Sequence, residues 1–121
     1  MLLLLVVYDS LMGKTERFAH KLGLPILKIH KDLIVSEPYV LLTYTCGHGE
    51  VPKTTLGFLE ENHDYMVGVA VSGHRNWGEK RYGLAGDIIS KKYNKPLIHK
   101  FEMSGYPSDV AKFKEGVFRI W

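Results

Sequence analysis

The strongest constraint on this chain is an alternation. Strand-like runs at residues 2–7, 25–29, 38–44, 65–71 and 97–103 alternate, except between the second and third, with stretches whose apolar residues recur three and four apart. Short runs that are apolar nearly throughout read as strands covered on both faces. The intervening stretches read as amphipathic helices. One covers residues 15–22, and another opens with Pro52 at its first position and places Leu56 and Leu59 on one face. In the third helix Tyr82, Ala85, Ile89 and Tyr93 form a stripe, and Gly83 and Gly86 inside it imply close approach to the sheet or a ligand. The last helix turns Val110, Phe113 and Val117 inward and carries Asp109 in its first turn. Asn62-His63-Asp64 reads as a turn. Strands alternating with helices imply right-handed crossovers, and hence a doubly wound α/β domain with a parallel sheet over residues 1–121.

In such sheets ligands sit beyond the carboxyl ends of the strands. Loops 9–15, 43–51 and 72–78 meet there. The first, Asp9-Ser10-Leu11-Met12-Gly13-Lys14-Thr15, leads from a strand into a helix. Unpaired first-turn N–H groups and the helix dipole suit a phosphate at such a place; Ser10 and Thr15 add hydroxyls, and Gly13 allows close approach. An ordinary βα turn with a capping serine has the same residues. The loop lacks the glycine pattern of triphosphate and dinucleotide sites, so a single phosphate monoester fits it better. The second loop offers Thr43, Tyr44, Thr45 and a flexible Cys46-Gly47-His48-Gly49 run. The third, Ser72-Gly73-His74-Arg75-Asn76-Trp77-Gly78, offers hydroxyl, amide and backbone donors and the Trp77 ring. A flat heteroaromatic ring with a phosphate tail would use all three loops, and flavin mononucleotide (FMN) has that shape.

Composition narrows the classes further. No apolar run approaches the roughly 20 residues of a membrane span. Residues 1–7 lack the basic start and cleavage site of a signal peptide and are better read as a strand. A single cysteine, Cys46, rules out an internal disulfide and suits a reducing cytoplasm. The net charge of +3 is mild and scattered, which favours an acidic protein partner over nucleic acid. Six histidines without paired ligand spacing point away from a metal site. Lys91, Lys92, Lys95 and Lys100 read as a solvated face.

These residues resemble NrdI, the small flavodoxin-like family that serves class Ib ribonucleotide reductase. The resemblance rests on residues 9–15 as a loosened flavodoxin phosphate loop. It continues through Thr43-Tyr44-Thr45, Gly49, Val51-Pro52, Ser72-Gly73, Asn76-Trp77-Gly78 and Ala85-Gly86-Asp87. Phe101-Glu102-Met103-Ser104-Gly105 and Asp109-Val110 complete it. It implies a flavodoxin-like sheet of order 2-1-3-4-5. FMN would have its phosphate at Ser10 to Thr15, residues 43–49 bordering the ring, and residues 72–78 as the opposite wall with Trp77 stacking. The family usually has Thr-Gly-Asn where this chain has Met12-Gly13-Lys14, and Asn where it has His74. The phosphate anchor would then lean on backbone amides and Lys14, and His74 would put a titratable group near the ring. The implied mechanism draws electrons from a separate reductant protein. Reduced FMN turns O₂ into a superoxide or peroxide oxidant, which assembles the dimanganese–tyrosyl radical cofactor of the reductase small subunit. A general one-electron shuttle and a flavin-free docking module are the alternatives.

Overall fold

The structure is a computed structural model and describes residues 4–47, 49–78 and 80–120; the Trp77 side chain and His48 lie outside that description. The apolar runs form β1 (Leu5–Tyr8), β2 (Ile26–Lys28), β3 (Tyr39–Tyr44), β4 (Met66–Gly73) and β5 (Leu97–Glu102). All neighbours pair in parallel, in the order β2-β1-β3-β4-β5. The helices are α1 (Lys14–Lys21), α2 (Lys53–Asn62), α3 (Leu84–Tyr93) and α4 (Pro107–Ile120). None of the described helices is long and apolar enough to cross a membrane.

Because successive strand residues point to opposite faces, each strand feeds two cores. Val6, Tyr8, Val40 and Leu42 pack against Phe18 of α1 and Phe113 of α4. Phe18 stacks on Phe101 at 3.9 Å between ring centroids and meets the edge of Phe113 at 5.8 Å. Truncating so large a buried ring costs about 3–5 kcal/mol. Val7, Tyr39 and Leu41 pack on the other face against Leu59 of α2 and Ile89 of α3. That face also has a polar fastening. The Asn62 carbonyl oxygen accepts the Val35 N–H at 2.8 Å, while its amide donates to the Leu33 and Phe58 carbonyls at 3.1 and 2.9 Å. The β2–β3 connection is thereby held against α2.

Several boundaries differ from the sequence reading, each for a local reason. Pro52 is the N-cap of α2 and not its first residue. Asn62 closes α2, and His63–Tyr65 continue as a 3₁₀ turn where a simple turn was expected. Ser72 and Gly73 extend β4 by pairing with Phe101 and Glu102 of β5. Gly83 caps α3 in the left-handed region (φ 61°), so Tyr82 precedes the helix. Gly86 does mark a close approach: a Cβ there would lie 2.6 Å from Val71 Cγ1. Lys100 is not part of a solvated face; its ammonium donates to the Tyr82 carbonyl (3.0 Å) and to Asp87 (2.6 Å).

Candidate functional site

Asp9 follows β1 directly and is buried. Its N–H donates to the Leu42 carbonyl at 2.9 Å. Its carboxylate accepts the Thr54 and Thr55 hydroxyls at 2.5 and 2.7 Å, and Thr55 Oγ1 lies 2.8 Å from Thr43 Oγ1. Asp9 and Thr43 therefore brace the first turn of α2, from behind the loops that form the cleft. An anion at a helix N-terminus is favoured by the dipole, and here the protein supplies it itself.

From Ser10 onward the turn faces outward. Ser10 Oγ accepts the Glu16 N–H at 3.2 Å. Glu16 would set a negative charge beside the start of α1, but its carboxylate is engaged elsewhere. It accepts the Tyr8 hydroxyl at 2.9 Å and lies 3.6 Å from the Lys28 ammonium. That hydrogen bond, then the Lys28 charge, hold the Glu16 carboxyl below its ordinary pKa. Burial, then the bond to Glu16, push the Tyr8 hydroxyl up to about 12. The start of α1 is left for another anion. Within α1 the Lys14 and Thr15 N–H groups have no preceding turn to bond to. Met12 and Gly13 take φ of 64° and 84° in succession. For Met12 the left-handed conformation costs about 1–2 kcal/mol, the kind of strain that gathers at ligand sites.

Beside this turn lies a cleft of about 130 Å³. Leu11, Met12, Lys14 and Thr15 line one side of it; Tyr44 and Thr45 line the second, and Ser72, Gly73 and His74 the third. Thr45 ties two of these together, its N–H donating to the Ser72 carbonyl at 2.9 Å. Its hydroxyl oxygen, in contrast, is buried without a hydrogen-bond partner among the described residues. Such an orphan is expensive to leave unmade, so the position suits a polar ligand. Burial, then the Asp9 charge, raise the Tyr44 hydroxyl and keep it a neutral donor.

The second loop is closed at its base instead of flexible throughout. Cys46 and Glu50 pair as an antiparallel bridge, with Cys46 N–H to Glu50 O at 2.9 Å and Glu50 N–H to Cys46 O at 2.8 Å. Gly47 and Gly49 are left-handed (φ 54° and 109°), and a Cβ on Gly49 would fall 2.7 Å from Leu84 Cδ2. Burial, then the Glu50 charge, raise the Cys46 thiol, which makes it a poor nucleophile.

The third loop is strapped down by contacts that the sequence reading did not anticipate. The Arg75 guanidinium sits 4.8 Å over the Tyr82 ring and 3.2 Å from Glu102, and Lys100 holds the Tyr82 carbonyl. Asn76 and Gly78 are exposed here, beyond the residues that line the cleft. The His48 and Trp77 side chains, expected at the ring, lie outside the described residues.

Hydroxyls, a left-handed turn and a helix start on one cleft fit a planar ligand carrying a phosphate. Comparison with known proteins gives the family and the fold. The family model described as "NrdI Flavodoxin like" matches residues 6–115. The chain belongs to the NrdI flavodoxin-like family. It is 43% identical to the NrdI protein of Bacillus licheniformis over 116 residues, covering 95% of this chain and 88% of that one. It is 40% identical to the SPbeta prophage-derived NrdI of Bacillus subtilis, covering 93% and 89% of the two. Membership of the NrdI family, with this fold, implies a flavin-binding protein. Two solved flavodoxins share the fold. A short-chain flavodoxin associated with a bacterial microcompartment superposes with a TM-score of 0.76 at 21% identity, over 99% of this chain and 97% of that one. The two-electron reduced flavodoxin of Megasphaera elsdenii does so with 0.64 at 15%, over 96% and 98%.

Proposed function

We propose that the cleft binds FMN and that the protein supplies an O₂-derived oxidant to the class Ib ribonucleotide reductase small subunit, for assembly of its dimanganese–tyrosyl radical cofactor. The observation that carries the reading is the orphaned Thr45 hydroxyl on a three-loop cleft, in a chain of the NrdI family. FMN when bound supplies the redox chemistry, accepting electrons from a reductant protein and passing them to O₂. The chain's own residues bind and orient. Ser10, Gly13, Lys14 and Thr15 hold the phosphate at the α1 N-terminus, where the Tyr8–Glu16–Lys28 contacts keep a competing carboxylate occupied. Thr45 and Tyr44 donate to the ring edge. Gly47 and Gly49 allow a peptide to turn toward it, and the loop of residues 72–78 forms the facing wall. His74, exposed at the mouth, places a titratable group where the charge on the ring changes. Leu11, Met12 and His74 on the rim of the cleft are exposed, which leaves the ring edge open to O₂ and to a docked partner. The protein acts in the cytoplasm.

The test is reconstitution. FMN-loaded, reduced protein is mixed with manganese-loaded small subunit and O₂, and the tyrosyl radical is measured by electron paramagnetic resonance. Radical formation that requires both this protein and O₂ supports the reading. Radical absent with FMN bound would point to a general electron carrier, and failure to take up FMN would point to a docking module.

A further inference from the structure

A second cavity among the described residues lies away from the cleft. It has about 380 Å³ and lies on the other side of Asp9, between the β2–β3 connection and α2. Its walls are apolar on one side, with Ile29 and Leu33 from the connection and Phe58 from α2. Lys31 and Lys53 line it from opposite sides, with His30 next to Lys31.

Two observations mark this space as more than a packing fault. The first is Gly57. A glycine in a helix interior costs about 1 kcal/mol relative to alanine, and close packing usually explains it. Gly86 and Gly116 have that explanation, since a Cβ on either would lie 2.6 Å from a neighbouring side chain. Gly57 lines the cavity, and a Cβ there would meet nothing within 4 Å. At this exposed position the wall of the cavity is bare backbone. The second is charge. Neither Lys31 nor Lys53 takes part in an ion pair among the described residues. Of the acidic groups lining the space, Asp9 is already engaged by two hydroxyls, and Glu61 lies two turns along α2 from Lys53. Two exposed lysines lining a space that also has Leu33 and Phe58 in its walls suit a small organic anion.

We propose that this cavity is a second ligand site, taking a small molecule with an aromatic or aliphatic body and one carboxylate or phosphate group. The body lies against Leu33, Phe58 and the bare backbone of Gly57, and Lys31 and Lys53 hold the anionic group. The site stands apart from the flavin cleft, and its argument does not depend on the flavin reading.

The experiment is an amide ¹H–¹⁵N titration of the full chain with 3-phenylpropionate, phenyl phosphate and, as a neutral control, 3-phenylpropanol. The expected result is saturable shifts at residues 30–33 and 53–58 with one or both anions, and much weaker ones with the alcohol. Comparing the two anions tells a carboxylate site from a phosphate site. Shifts at residues 10–15 with phenyl phosphate report the other cleft and are read separately. Lys31→Ala/Lys53→Ala should weaken anion binding by about tenfold or more, and Gly57→Phe should abolish it by filling the space. Absence of saturable shifts at residues 30–33 and 53–58 would overturn the proposal. So would equal binding of the alcohol, or affinity unchanged by removing both lysines.

Discussion

Two sets of hydroxyl and acidic side chains stand near the carboxyl ends of β1 and β3, and they behave oppositely. Asp9, Thr43 and Thr55 are buried, and each finds its partner within the protein. Thr45, two residues beyond Thr43, is half-buried and keeps an orphaned hydroxyl, and Ser10, next to Asp9, uses its oxygen only as an acceptor for the α1 backbone. The first set fixes α2 on the sheet. The second is left with hydrogen bonds to give. Residue type does not separate the two sets, but satisfaction does: a satisfied network holds the fold, and an unsatisfied one keeps hydrogen-bonding capacity to spare.

Substitutions can break that comparison. Asp9→Ala removes the acceptor shared by exposed Thr54 and buried Thr55, and leaves Thr55 with Thr43 as its remaining partner. Urea unfolding should show a loss of about 3 kcal/mol, and a loss under about 1 kcal/mol would mean the network is not a brace. Ser10→Ala acts on the other set. FMN affinity should fall about tenfold, with a stability change of at most about 1 kcal/mol. Thr45→Val sharpens the contrast further. Removing an orphaned hydroxyl should leave stability unchanged or slightly raised, while FMN binding weakens about fivefold. A clear loss of stability would show that Thr45 already has a partner. The smallest effect concerns acid. Burial pushes the Asp109 carboxyl up, but its bonds from His99 (2.7 Å) and the Tyr106 N–H (2.8 Å), with the His99 charge, hold it below its ordinary value. Glu16 is lowered as well. A carboxyl with a lowered folded pKa stabilises above its unfolded pKa, near 4, and loses that contribution as pH falls through the folded value. Thermal unfolding between pH 6 and pH 3 should therefore show the melting temperature falling below about pH 4, with a shallower fall in Asp109→Asn.

Much of the fold was legible because strand and helix periodicity are local. The five apolar runs became five strands within a few residues, and Val110, Phe113 and Val117 face the core. Local composition misled where pairing decided the outcome. Ser72 and Gly73 look like loop residues, yet β5 recruits them into the sheet. Tyr82 continues a helical stripe, yet the left-handed Gly83 stops the helix before reaching it. At the site, the spacing of the three loops was readable and the structure brings Thr15, Thr45 and Ser72 to one cleft. The commitment of Asp9 was not readable, because its partners Thr54 and Thr55 are 45 and 46 residues away in sequence. The strap of Arg75, Tyr82 and Lys100 was hidden because it depends on the pairing of β5 beside β4, which brings Lys100 and Glu102 to the loop.

The most direct test of the central claim compares two ligands that differ only in the phosphate. The protein is titrated with FMN and with riboflavin, and binding is followed by quenching of flavin fluorescence. If the Ser10 to Thr15 turn holds the phosphate, FMN binds at least about tenfold more tightly than riboflavin, and Ser10→Ala narrows the gap. Equal affinity for the two would contradict the account, since the turn at the start of α1 would then contribute nothing to the ligand.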